Sequence, residues 1–123
     1  MSILRSVLVA DDEASLRHVL SLVLQAHGYE VRAVSNGEEA LAELETRDYD
    51  AVISDVRMPR VDGMTVLKKA LVRHPDLTFV VMSAYGQPDA ALEAVSAGAF
   101  DYVSKPFKPA ELKARIRRLV AAE

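Results

Sequence analysis

The chain contains no cysteine, which excludes a disulfide framework and every thiolate metal site but leaves metal chemistry with oxygen ligands open. It also lacks a long apolar run at its start. "MSILRSVLVADDE" reaches acidic residues after a short apolar stretch, too short for a signal peptide's apolar region or a membrane span. A soluble, cytoplasmic protein is expected, with no membrane partner. It has no excess of basic charge either, the balance being mildly acidic at a formal net charge of -3, and nucleic-acid binding draws most of its affinity from phosphate neutralisation. This domain alone is therefore not expected to bind nucleic acid directly. No internal repeat, linker or low-complexity segment divides the sequence. Its 123 residues, half of them hydrophobic, should form one domain over 1–123 with a real core.

What is present is an alternation of strand-like and helix-like patterns. Ser6 to Val9, Tyr29 to Val34, Ala51 to Ser54, Thr78 to Met82 and Tyr102 to Ser104 are the strand candidates. The first, third and fourth are almost wholly apolar, as in central strands covered on both faces, whereas the second alternates and belongs at an edge. Leu16, Val19, Leu20, Val23 and Leu24 recur at helical spacing before Gly28, a C-terminal cap. Ser35 and Glu38 have the spacing of a capping box for a second helix burying Leu41 and Leu44. Met64, Leu67 and Leu71 mark a third helix before His74 and Pro75, and Pro88 to Ala97 a fourth, Ala-rich one closed by Gly98. Pro109 suits the first position of a fifth, with Leu112, Ile116, Leu119 and Val120 on its inner face.

Five such alternations predict an α/β fold: a doubly wound five-stranded parallel sheet with helices on both faces. No Gly-x-Gly-x-x-Gly follows the first strand, which favours the flavodoxin-like order 2-1-3-4-5 over the dinucleotide-binding one. Strands one and three are then neighbours, and ligands bind outside the carboxyl ends of strands at such a switch point.

"VADDE" places Asp11 and Asp12 just past the first strand, and "ISD" places Asp55 at the end of the third. Adjacency would bring three carboxylates into one crevice, where two unit charges ~4 Å apart cost about 4 kcal/mol at an effective dielectric of 20. A cation should relieve this, and oxygen-only ligands suit Mg2+, with Mn2+ or Ca2+ also open. Taken alone, Asp11, Asp12 and Glu13 read more readily as an acidic cap at the positive end of the first helix. Two further strand ends change the balance. Ser83 follows the fourth strand and Lys105 the fifth; singly, a turn serine and a solvated lysine would be ordinary. Carboxylates, a hydroxyl and an ammonium on one rim are what a phosphoryl group needs.

The stretches "VLVADDE", "SDVRMPRVDGM", "VMSAYG" and "AFDYVSKPF" resemble, in order and spacing, the receiver domains of two-component response regulators. The resemblance spans essentially the whole chain and is nearest to the nitrogen-regulation group. It implies that Asp55 is the phosphoacceptor and that Asp11, Asp12, Asp55 and the backbone carbonyl of Arg57 hold Mg2+. It further implies that Lys105 contacts the phosphate and is followed by a cis bond before Pro106, that Ser83 and Tyr102 form the switch, and that Ala84, Arg57 and Tyr85 govern access to the phosphoryl group. The implied function is a phosphorylation-dependent signalling switch, not an enzyme in its own right, that assists its own phosphorylation and dephosphorylation. A histidine kinase or phosphotransfer protein would supply the phosphoryl group, and the face of the fourth helix, fifth strand and fifth helix would control a downstream effector domain or protein. Receivers of this group usually precede an ATPase and a DNA-binding domain in bacterial transcription regulation. Lys113, Arg115, Arg117 and Arg118 could pair with a second protomer in a homodimer formed on phosphorylation, although a charged helix face is most often just solvated.

Three competing classes make different demands on the same residues. An aspartate-nucleophile phosphatase of the haloacid dehalogenase type would need a second carboxylate where Arg57 stands. A flavin module would need a phosphate-binding loop where "ADDE" is anionic. A receiver-like interaction module that is never phosphorylated remains the serious alternative.

Overall fold

The computed structural model describes residues 5–58, 60–84, 88–105, 110–111, 114–115 and 118. Elements alternate as β1 (Arg5–Ala10), α1 (Ala14–Ala26), β2 (Tyr29–Val34), α2 (Gly37–Thr46), β3 (Ala51–Asp55), α3 (Gly63–Arg73), β4 (Thr78–Ala84), α4 (Pro88–Ser96) and β5 (Asp101–Lys105). The five strands form one parallel sheet in the order β2-β1-β3-β4-β5. The doubly wound, flavodoxin-like arrangement expected from the alternation is the one observed. β3 is buried at every position, whereas β2, at the edge, is buried only at its two end residues, Tyr29 and Val34, because only interior strands need apolar residues on both faces.

Alternation along the strands divides the core into two layers. Val7, Val9, Ile53, Val80, Met82 and Val103 pack with Leu20 and Leu24 of α1 on one face. Leu8, Val52, Phe79 and Val81 pack with Leu44, Leu67 and Ala94 of α2, α3 and α4 on the other. Each fully buried Leu contributes roughly 1.5–3 kcal/mol.

Several local expectations change. Val19 is 46 % exposed, because the buried stripe of α1 runs through Leu20 and Leu24 and Val19 lies at its margin. The cap of α2 sits one residue later than the Ser35 and Glu38 reading. Asn36 is the N-cap and accepts from the Glu39 amide at 2.8 Å. Glu39 in turn accepts from the Ser35 backbone and hydroxyl, which lowers its pKa, the hydroxyl bond being the larger cause. This register makes Gly37 the first helical residue, where it is buried. Gly98, at φ 108°, closes α4 as expected of a residue free of Cβ strain. Residues 110, 111, 114, 115 and 118 are helical; Pro109, Leu112, Ile116, Leu119 and Val120, expected on the fifth helix, lie outside the described residues, as do Lys113 and Arg117.

Candidate functional site

The register puts four strand ends, those of β1, β3, β4 and β5, at one rim. Ala10 pairs with Ser54, Asp55 with Met82, and Ala84 with Lys105. Asp55 shares its sheet face with Ile53, and Lys105 shares its face with Val103, so both project on the α1 side. Asp11 continues β1, its amide donating to the Val34 carbonyl at 3.2 Å.

Asp11 is fully buried, Asp55 is 7 % exposed, and Asp12 lies at the surface. One carboxylate oxygen from each lies within 4.8 Å of the others. The Lys105 ammonium joins the two buried ones: Nζ donates to Asp55 Oδ2 at 2.7 Å and stands 2.8 Å from Asp11 Oδ2. The second approach lacks hydrogen-bond alignment, and Asp11 Oδ2 accepts no hydrogen bond from the described residues; it is charge-paired only. Asp11 Oδ1 accepts from the Glu13 amide at 2.9 Å, and the Arg17 guanidinium donates to the Asp11 carbonyl at 2.8 Å. The capping reading is thus met in part. Asp11 turns the chain into α1, while the N-cap residue Glu13 makes no capping bond with its own side chain.

Burial pushes the Asp55 carboxyl above its usual pKa, outweighing the pull of Lys105. Burial also works against the Lys105 charge, but Asp11 and Asp55 more than offset it, and that pKa is raised as well. The two directions agree physically. Two carboxylates share one ammonium, so the ammonium is over-served while the carboxylates are left short of positive charge. Three carboxylates whose oxygens gather within 4.8 Å, with one ammonium between the two buried ones, fit a hard cation.

The remaining expected residues are less tightly gathered. The Arg57 amide donates to Asp55 Oδ1 at 3.3 Å, and its side chain is exposed. Ser83 is buried one residue beyond the Asp55 partner Met82, on the sheet face opposite Asp55 by strand alternation. Tyr102 is half-buried against the α2–α4 core layer, on the same sheet face as Ser83. Ala84 ends β4. Tyr85 and Pro106 lie outside the described residues.

Two glycines behind the rim carry more than their sequence position suggests. A Cβ on Gly63 would stand 2.0 Å from the Asp55 carbonyl oxygen, and one on Gly37 would stand 2.0 Å from the Val61 carbonyl oxygen. The Gly63 amide donates to the Val56 carbonyl at 2.7 Å. The closeness of α3 to β3 at Gly63 is a packing contact that no local sequence pattern contains.

Residues 7–117 match the response regulator receiver domain. The chain is 41 % identical over 115 residues to the DNA-binding transcriptional regulator NtrC of Salmonella typhimurium, covering 94 % of this chain and 24 % of that protein. It is 42 % identical over 114 residues to the probable transcriptional regulator ycf27 of Pyropia yezoensis, covering 93 % and 46 %. The chain therefore spans a quarter to a half of the length of these relatives. A putative response regulator from Chloroflexus aurantiacus superimposes with a TM-score of 0.88 at 36 % identity, covering 97 % of this chain and 99 % of that one. The chemotaxis response regulator CheY4 of Vibrio cholerae does so with a TM-score of 0.87 at 31 % identity, covering 95 % and 99 %. By sequence and by fold, the chain belongs to the response regulator receiver domains.

Proposed function

We propose that the chain is a phosphorylation-dependent switch whose phosphoacceptor is Asp55. The observation that carries the reading is the buried Asp55 carboxylate, bonded to Lys105 and facing Asp11 and Asp12 at the switch point of the sheet. A raised pKa makes this carboxylate more basic, and so a better nucleophile, than an exposed aspartate. Asp11, Asp12, Asp55 and the Arg57 carbonyl would hold Mg2+, or Mn2+ in its place. When bound, the ion supplies the positive charge that the carboxylates lack.

In the transfer step an Asp55 carboxylate oxygen attacks phosphorus. The P–N bond of a donor phosphohistidine breaks, and its electron pair leaves with the imidazole, which takes up a proton. Lys105 already stands 2.7 Å from Asp55, placed to follow the charge onto the phosphoryl oxygens. The donor is a histidine kinase or a phosphotransfer protein. Ser83 then offers its hydroxyl to the phosphoryl group, and its movement leaves room for Tyr102 to turn inward. This shifts the population of the face built by α4 and β5, and a downstream effector reads that face, as does a second protomer if the phosphorylated form dimerises. The named relatives are transcription regulators, so the effector reading includes an attached output domain. Water reaching the acyl phosphate past Ala84, Arg57 and Tyr85 would reset the switch, in the cytoplasm where kinase and regulator meet.

Intact mass after incubation with acetyl phosphate and Mg2+ tests the reading. One phosphoryl adduct is expected, lost in Asp55→Asn and with chelator. A folded chain that takes no adduct, under conditions that capture short-lived species, would point to an interaction module that is not phosphorylated.

A further inference from the structure

We infer that Gly37, at the start of α2 and outside the acidic crevice, is a positioning residue that braces the β3–α3 loop and so sets the Arg57 peptide beside Asp55. The inference rests on the phosphoacceptor reading above. Gly37 is separated from Asp55 in sequence by most of α2 and all of β3, yet its backbone lies flat against the loop that follows Asp55. A Cβ there would stand 2.0 Å from the Val61 carbonyl oxygen, 2.8 Å from its carbon and 2.9 Å from the Val61 Cβ. Two of those three atoms are backbone, so no flexible side chain can yield and the loop itself must move.

The loop has little slack to absorb such a shift. At its start Val56 is pinned twice, its amide donating to Met82 at 2.8 Å and its carbonyl accepting from Gly63 at 2.7 Å. At its end Asp62 caps α3, accepting from the Thr65 amide at 2.9 Å. Between these anchors Arg60 sits at φ 70°, a left-handed conformation that a non-glycine residue adopts only when its surroundings impose it. Arg60 also reaches back to α2, its guanidinium 3.0 Å from Glu38; this exposed pair is a minor tie. Displacement at Val61 is therefore passed to the segment that includes Arg57, whose amide already makes a long 3.3 Å bond to Asp55. Loss of that alignment weakens both the Asp55 orientation and the proposed carbonyl ligand.

The experiment compares Gly37→Ala with Gly28→Ala and the native chain. Gly28 has φ 90° and open space where a Cβ would go, so its alanine variant strains the backbone at the other end of the sheet. Three quantities are read: the Arg57 amide resonance without metal, the Mg2+ concentration for half-maximal phosphorylation, and the rate with acetyl phosphate. Gly37→Ala should shift the resonance, raise the half-maximal Mg2+ and slow the rate about tenfold, while Gly28→Ala lowers thermal stability and changes none of them. Should Gly37→Ala not fold, Arg60→Gly releases the loop at its strained residue, and the same resonance shift with an about threefold slower rate is expected. Unchanged readings in whichever variant folds, or equal changes in Gly28→Ala, would overturn the bracing role. A native chain that takes no phosphoryl group would overturn the phosphoacceptor reading itself, and the two failures are distinct.

Discussion

Asparagine at position 55 should make the metal-free protein more stable, although it removes a hydrogen-bonded charge. Lys105 Nζ stands 2.7 Å from Asp55 Oδ2, an attraction of about 6 kcal/mol at an effective dielectric of 20. Against it stands Asp11, whose oxygen lies within 4.8 Å, a repulsion of at least ~3.5 kcal/mol on the same scale. Removing the carboxylate from water costs several kcal/mol more, so the balance opposes the charge by on the order of 1–2 kcal/mol. The raised Asp55 pKa has the same sign. In Asp55→Asn, Lys105 keeps Asp11 as its partner, and the melting temperature with chelator at neutral pH should rise by about 4–8 °C. The native state binds more protons than the unfolded state between the ordinary and the raised Asp55 pKa, so native stability falls as pH rises through that window. The advantage of the variant should therefore shrink on acidification and vanish below the ordinary carboxylate pKa. Mg2+ at ~100 times its dissociation constant adds about 2.7 kcal/mol to the native chain, which should close or reverse the gap. A variant that melts below the native chain in chelator would refute the reasoning.

Other consequences are as direct. Lys105→Ala should slow phosphorylation by acetyl phosphate roughly a hundredfold, because it removes a positive charge already aimed at the reacting oxygens; single-turnover kinetics followed by intact mass would show it. Asn36→Ala should lower stability by about 1 kcal/mol in urea unfolding, through loss of the cap bond to Glu39. Burial and the hydrogen bond to Glu43 push the Tyr49 hydroxyl up to about 12. Absorbance titration near 295 nm should lose one late-ionising tyrosine in Tyr49→Phe. That tyrosine contributes stability that is lost as pH rises past the ordinary tyrosine pKa.

The sheet order was legible because its signals are local and redundant: apolar runs for β1, β3 and β4, alternation for β2, and carboxylates or a lysine closing strands one, three and five. The gathering of Asp11, Asp12 and Asp55 follows from the adjacency of β1 and β3, while Lys105 reaches them across β4 from the same sheet face. The α2 cap was misplaced by one residue because Ser35 with Glu38 and Asn36 with Glu39 have the same spacing, while the neighbour that Gly37 packs against, Val61, is distant in the chain. The contact is long-range, so no local pattern contains it. Val19 fits a helical stripe by spacing, yet exposure depends on how far α1 rolls on the sheet. The ties of Arg17 and Glu13 to Asp11 depend on the turn geometry after β1, which composition does not specify.

The most direct test of the central claim is to locate the phosphoryl group. After phosphorylation with acetyl phosphate and Mg2+, borohydride reduction turns an aspartyl phosphate into homoserine, and tandem mass spectrometry of the digested chain identifies the converted residue. The account predicts homoserine at position 55, with Asp11 and Asp12 unmodified and no conversion in chelator. Conversion at another residue, or at position 55 without need of the metal, would contradict it.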